Sequence, residues 1–506
     1  MRGKTYAYPS SVKLSILAQK FDVGATKKMF KKHRDAFAFI IGSVYYKTLI
    51  NKDEYDDIEA PDPDVRLSSK ILAKLFGNNY NKYVDFLIQE QLIQKTSDHR
   101  AFLHTRICRG YALNPNWIKV GHKVKWHTLK NKQISVRLQE AFKKDIIPDL
   151  LAVEKGYKYV TRYLEDGGLK IDESAAIVKL NEVLKDDLKC ELSGCYNKKI
   201  TPSEKFTLNK SKVLNFNDSI SEYTVDSSGY RLHTALVRLP KYLRKHVTYK
   251  GQHLINLDLK NSQPFLLCSL FNKKLWDSSA TLCVQKLHPE LYNLMCQLST
   301  ENRIKTLYWK VFKKDEIKEL KKVVGNSSIM SIVDMLSKLL ESNDNKRSQN
   351  INFKNLCESG TLYEAMGSLF SGKYIIDEVD QYGTRDMVKV QVMRLFFGGK
   401  KKASIGKSKE LSAFIETFPE IGNLLLLLKS GGYKKCPCLL QRLESHLILK
   451  VIATELYRKN VSPVFTVHDS IAVLYNDADG AEKIMSDTIF NKIGLRPKIE
   501  REYWYH

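Results

Sequence analysis

The spacing of apolar and polar positions changes character several times along the chain, and each change marks an element. The first 60 residues are basic and helical in pattern, with Lys27, Lys28, Lys31, Lys32 and Arg34 crowded ahead of the apolar stretch 37–46. The acidic stretch 54–64, with Pro61 and Pro63, reads as a linker or exposed loop. Ser68 and Ser69 are placed to cap a helix carrying Ile71, Leu72 and Leu75. Gly77-Asn78-Asn79 supplies a turn, and a second helix follows with Tyr80, Val84, Phe86 and Leu87. Strand-like runs at 92–94 and 106–113 flank a polar tip at 97–100. Helix, turn, helix and a two-stranded wing over about 60–115 make a winged-helix-like pattern, related to units that dock on DNA. A small protein-contact or spacer domain has the same outline, but the wing is basic at Lys95, Arg100, Arg106 and Arg109.

Residues 125–200 show helical periodicity. Ile177, Leu180, Val183, Leu184 and Leu188 recur at steps of three and four, which predicts an amphipathic helix whose apolar stripe packs into a core. Residues 196–230 are polar and rich in Ser, Asn and Lys, so loops are expected there. Beyond 230, strand-like runs at 254–257, 464–467 and 471–475 alternate with long helical runs.

Composition narrows the class. The chain has 506 residues, enough for two to four domains, and its 43% hydrophobic content supports sizeable cores. Lys and Arg number 82 against 56 Asp and Glu, a net charge of +26. An excess spread this widely favours a polyanionic partner, nucleic acid first and an anionic membrane surface second. No apolar run approaches the roughly 18–20 residues that span a bilayer, and the first twenty residues lack a signal-peptide core. Nine scattered cysteines read as reduced thiols of a soluble intracellular protein, in the cytoplasm of a host cell. Cys436-Pro437-Cys438 and Cys190-x4-Cys195 have no second pair at metal-site spacing, so both read as ordinary thiols.

Three constellations carry candidate chemistry. In the first, the apolar run 254–257 ends at Asp258, followed by Leu259-Lys260-Asn261-Ser262-Gln263-Pro264. A strand-end carboxylate either caps a turn or holds a hard divalent cation at a sheet rim. In the second, two apolar strands flank His468-Asp469, a hairpin with its tip polar. In the third, Arg385, Lys389, Met393 and Phe397 recur every four residues, so they share one helix face. That stripe is either a solvated amphipathic face or a grip for a triphosphate at one end and a base at the other. Taken together, two Asp far apart in sequence fit a pair of metal ions for in-line phosphoryl transfer. A basic helix between them fits the phosphates.

Strand-Asp, then Arg-x3-Lys-x7-Phe-Gly, then His-Asp, in that order, resembles motifs A, B and C of family A DNA polymerases. The related single-subunit phage-type RNA polymerases share the plan. Gly229-Tyr230-Arg231-Leu232-His233-Thr234, with Leu239-Pro240 and Arg244 following, is similar to the segment that precedes motif A in the DNA enzymes. Phe418-Pro419-Glu420 is similar to the connection after motif B. The resemblance covers about 225–506 and leaves the first 200 residues unexplained. It implies that Asp258 and Asp469 are catalytic and hold two Mg²⁺ ions, with Mn²⁺ as a substitute and the Leu259 carbonyl as a further ligand. It implies that Arg385 and Lys389 hold the incoming triphosphate, with Met393 and Phe397 beside the base. By the same resemblance His468 touches the primer terminus, and Arg231 and Arg244 contact nucleic acid.

Departures from the family bear on sugar choice. Ser470 after the motif C Asp is the form of the RNA enzymes. Gln263 stands where the DNA enzymes carry a bulky Glu against a ribose 2′-OH and the RNA enzymes carry Gly. Phe397 lacks the hydroxyl by which the RNA enzymes favour ribose, whereas Met393 stands where the DNA enzymes often have an aromatic. On balance these markers favour deoxyribonucleotides. No pair of exonuclease motifs is evident in residues 1–220, so proofreading is not expected.

The expected fold is therefore α+β, a right-hand polymerase preceded by a winged-helix-like N-terminal domain at 1–124. A helical thumb is expected at 125–224, a palm with an antiparallel sheet at 225–275 and 436–506, and helical fingers at 276–435. The N-terminal domain is expected to sit apart and to recruit a replication partner or template. The expected activity is primer extension on a DNA template with dNTPs, for a virus or mobile element, with no membrane partner. An RNA polymerase or primase on the same scaffold is the first alternative. A catalytically inactive DNA-binding replication protein is another, and template-independent terminal transfer a smaller one.

Overall fold

A computed structural model describes residues 3–54, 65–96, 110–117, 123–145, 150–196, 198–300, 352–372, 381–398, 414, 417–429 and 432–505. The chain divides into two compact units. The first comprises 1–224, 233–254 and 504–506, and the second 225–232 and 255–503. Both mix helices with antiparallel strands. Among the described residues, no helix is long and apolar enough to cross a membrane.

In the first unit, the Lys27–Glu54 helix is the core element. Phe37, Ile40, Ile41 and Val44 in its apolar stretch have no exposed surface. The Leu14–Phe21 helix packs on it, and Phe21 stacks on Tyr83 with ring centroids 4.8 Å apart. Strands Thr5–Pro9 and Val124–Thr128 pair antiparallel beside this helix.

The helix-turn-helix pattern is present. Ser68 accepts a hydrogen bond from Ile71 N at 3.4 Å and starts the Ser69–Phe76 helix, which stops at Gly77. Gly77 has φ +83°, a conformation glycine adopts at no steric cost. The Tyr80–Gln89 helix follows, then an antiparallel sheet in the order Val65–Arg66, Gly110–Leu113, Ile93–Lys95. The expected tip at 97–100, with Arg100, Arg106 and Arg109, lies outside the described residues, as do Pro61 and Pro63. This segment does not stand apart on a core of its own. Leu72, Leu75, Phe76, Tyr83, Val84 and Leu87 join one cluster with the Lys27–Glu54 helix.

In the Glu173–Leu192 helix the expected stripe is buried at Leu180 and half-buried at Ile177, Val183 and Leu184, but Leu188, and Leu192 beyond the stripe, are exposed. The expected loops at 196–230 are corrected by the Pro202–Ser219 helix, which lies against it. A capping box starts this helix: Glu204 N donates to Thr201 Oγ1 at 3.3 Å, and Thr201 N to Glu204 Oε2 at 3.0 Å. Its polar residues are satisfied internally. Asn215 accepts from Thr5 N at 2.8 Å and donates to Thr5 O at 2.8 Å. The final residues also belong to this unit, where Trp504 is 1% exposed and its backbone N–H donates to Leu254 O at 3.1 Å.

In the second unit, residues 255–259 of the Gln252–Leu259 strand lie between Ser470–Leu474 and Ile499–Tyr503. Its pairing with the latter is antiparallel, Asp258 opposite Glu500 and Leu259 opposite Ile499. Phe465–Val467 and Ser470–Leu474 form the expected hairpin, Val467 opposite Ser470. The Ser262–Ser269 helix, buried at every residue, follows the Asp258 strand. The Ala478–Ile493 helix buries Ala481, Met485, Ile489 and Ile493 at four-residue steps. Phe353, Phe414 and Phe418 form an aromatic cluster with centroids 5.0–5.9 Å apart.

Candidate active site

The site is built at the end of the Asp258 strand. The strand buries Leu254 to Leu257 and leaves Asp258 half-buried at its rim. The chain then turns through Asn261, held at φ +54°. Asn tolerates this left-handed region better than most residues. The turn lets the Ser262–Ser269 helix start at once, so Ser262 and Gln263 sit within a few residues of Asp258.

Asp469 comes to the same place from the other end of the sequence. The hairpin turn has two residues, His468 and Asp469, with His468 at φ +55°. A positive φ at the first turn residue suits the twist of a two-residue hairpin, but a side chain there is strained. Ser470 Oγ donates to Val467 O at 2.9 Å and ties the turn shut. Ser262 Oγ donates to Asp469 Oδ2 at 2.5 Å. That contact joins the helix after the Asp258 strand to the hairpin tip across 207 residues of sequence.

A second cluster adjoins the first. Glu444, at the end of the Lys435–Ser445 helix, has its side chain 1% exposed. Arg231 donates to Glu444 Oε1 from Nε at 2.9 Å and from Nη2 at 2.7 Å. Gln263 Nε2 donates to Glu444 Oε2. Burial pushes the Glu444 carboxyl up to about 7, with the Asp469 charge adding and Arg231 and Gln263 opposing. The segment bearing Arg231 is itself pinned. Asp226 accepts from Gly229 N at 2.5 Å and Arg231 N at 3.0 Å, and Ser445 Oγ donates to Gly229 O at 2.9 Å. A π-helical stretch, His446–Ile452, follows Glu444 directly. Such stretches often mark functional positions in helices.

The Gln381–Phe397 helix carries the four-residue stripe. Val388, Val392, Leu395 and Phe396 of this helix are buried. Lys389, Met393 and Phe397 line one open pocket of about 510 Å³ with Val390, Arg394 and Gly398. Arg385 donates from Nε to Glu364 Oε1 at 2.9 Å and lies over the Tyr363 ring at 5.6 Å. Burial holds the Tyr363 phenol well above its ordinary range, with the Cys357, Asp469 and Glu364 charges adding and Arg385 opposing.

Sequence reasoning missed Glu444, Tyr363 and Ser262. Glu444 has no local signature, since its partners are 213 and 181 residues away. Arg244 lies in the other compact unit, where its Nε donates to Leu239 O at 3.3 Å.

Asp258 and Asp469 offer oxygen donors, as do the backbone and Ser262, a set that suits a hard divalent cation. Among the described residues, no group of three or more His, Cys, Asp and Glu side chains gathers around one point. Mg²⁺ is commonly held by one or two carboxylates and completed by water and substrate phosphates, so two carboxylates fit that mode. Several buried polar atoms here have no hydrogen-bond partner: Asn256 Oδ1, both amide atoms of Asn261, and Gln263 Oε1. Buried polar groups are normally satisfied, so such a concentration is unusual and expected at sites that take a ligand.

No protein-family model matches the chain, and no curated protein matches it. Among solved structures, one match is the POL domain of Pol1 from M. smegmatis in complex with DNA primer-template and dNTP. It has 11% sequence identity, covers 88% of this chain and 87% of that chain, and has a TM-score of 0.37. A likeness at that level carries nothing for the site, whose case rests on its own side chains.

Proposed function

We propose that the chain is a nucleotidyltransferase, a DNA polymerase that extends a primer on a DNA template with dNTPs. One observation carries this reading above the others. The Ser262–Asp469 hydrogen bond draws the hairpin carboxylate to the helix that begins at the Asp258 strand end. The motif order alone gives two isolated Asp residues, and this contact makes one rim of them.

In this reading Asp258 and Asp469, with the Leu259 carbonyl, hold Mg²⁺. When bound, the ions supply Lewis-acid activation of the attacking hydroxyl and neutralise the leaving pyrophosphate. Ser262 orients Asp469. Lys389 is exposed at the mouth of the pocket and, with Arg385, neutralises the incoming triphosphate. Met393 and Phe397 supply the apolar wall for the base. Arg231 and His468 contact the primer end, and Arg231 is aimed by Glu444. Gln263 is a buried amide pinned by Glu444, a rigid side chain where a ribose 2′-OH would have to fit. The N-terminal helix pair and sheet serve as a template or partner contact. The right-hand division into thumb, palm and fingers, and a role in replicating a virus or mobile element, belong to this proposal.

Primer extension tests it. A primed single-stranded template with Mg²⁺ is given dNTPs or rNTPs separately, with Asp258→Ala and Asp469→Ala as controls. Template-complementary products with dNTPs are expected. Each Ala variant should lose synthesis by about 10³-fold or more while binding primer-template within about threefold of the parent. Full activity in either variant removes the metal assignment. Products made only with rNTPs, or on unprimed template, would instead select the RNA polymerase or primase reading that Ser470 favours.

A further inference from the structure

Outside the candidate active site, the C-terminal turn of the Glu173–Leu192 helix brings two thiols together. Cys190 and Cys195 are exposed, whereas Cys268, Cys283, Cys357 and Cys436 are buried. The chain reverses through Gly194 at φ +77°. Cys195 N and Tyr196 N both donate to Cys190 O, at 2.9 and 3.1 Å. The side chain follows the backbone: Cys195 Sγ lies 3.3 Å from Cys190 O and 3.2 Å from Ser193 Oγ. Ser193 Oγ also donates to Cys190 O at 3.1 Å. A backbone turn therefore brings the two residues next to each other.

The pair is also chemically unequal. Hydrogen bonding with Ser193 and then with Cys190 holds the Cys195 thiol below its ordinary value. The shared contact raises Cys190, and the Asp187 and Asp186 charges add to the rise. The thiol held lower ionises more readily, which casts Cys195 as the attacking and Cys190 as the resolving thiol. Two sulfurs without a third ligand do not make a structural zinc site, and no larger ligand group occurs among the described residues.

We propose that Cys190 and Cys195 form an exposed dithiol that closes to a disulfide by exchange with a low-molecular-weight disulfide, such as oxidised glutathione. The Cys195 thiolate attacks one sulfur of the small disulfide and expels the other half as a thiolate. Cys190 then loses its proton to water and attacks the Cys195 sulfur of the mixed disulfide, expelling the second half. Two protein thiols are oxidised by two electrons, and one small disulfide is reduced to two thiols.

The test uses the reduced full chain, oxidised glutathione and peptide mapping by mass spectrometry. The parent should give a linked peptide carrying Cys190 and Cys195, reversed by dithiothreitol. Cys190→Ser should stop at glutathione on Cys195. Cys195→Ser should slow capture at residue 190 about tenfold relative to capture at 195 in the other variant. Ser193→Ala, which leaves both thiols in place, should slow capture at Cys195 severalfold. All three substitutions are on an exposed turn, so folding is retained. A parent that yields no linked peptide overturns the proposal, as does a Cys190 that reacts as fast as Cys195.

Discussion

Glu444 divides its two oxygens between an arginine and an amide, and it does so almost out of reach of water. Burial raises its carboxyl from about 4.5 to about 7. An acid raised on folding binds more protons folded than unfolded between those two values. Its contribution to stability is fully present below about pH 4.5 and is lost as pH rises through 7. A shift of this size corresponds to a fall of about 3 kcal/mol. Glu444→Gln should flatten that fall, and urea midpoints taken from pH 4.5 to 8 would show it. A Gln variant as steep as the parent would assign the slope to another group. At this scale the sequence was legible where chemistry is local. Asp258 and His468-Asp469 stand out because a carboxylate ends an apolar run. Glu444 and Tyr363 are set by partners distant in the chain, and no spacing rule reaches them.

At the scale of elements, caps and periodicity decided what could be read. The Ser69–Phe76 helix was readable because an N-cap serine, an apolar stripe and a terminal glycine agree. The hairpin was readable because its strands are apolar on both sides of a polar pair. The Pro202–Ser219 helix was hidden by its composition, since Thr207, Asn209, Ser211 and Ser219 are buried polar residues rather than solvent-facing ones. The signal that was there is Thr201-Pro202-Ser203-Glu204, a capping box with proline at the first turn. Thr201→Ala removes the side-chain acceptor for Glu204 N and should cost about 1 kcal/mol. Equilibrium urea unfolding measures it, and no loss would mean that tertiary packing alone holds the helix. The exposed end of the Glu173–Leu192 helix shows the converse case. Its stripe continues in sequence past the point where anything packs on it.

For the whole molecule, the +26 charge is the feature most directly tied to a polyanion. If primer-template is the partner, binding releases counterions. Affinity should then fall by at least about tenfold between 50 and 200 mM salt, with a linear dependence of log K on log salt. A salt-independent affinity would point to a different ligand. Charge and motif order could be read from composition and spacing, but the division into units could not. The chain leaves its first unit at 225, re-enters it at 233, leaves again at 255 and returns at 504. On the ribosome, that routing sets an order of events. Leu254 is synthesised ahead of almost all of the second unit, and Trp504, which donates to its carbonyl, follows after it. A nascent chain can therefore bury most of the first core early, but its last tryptophan arrives only when the other unit has been translated.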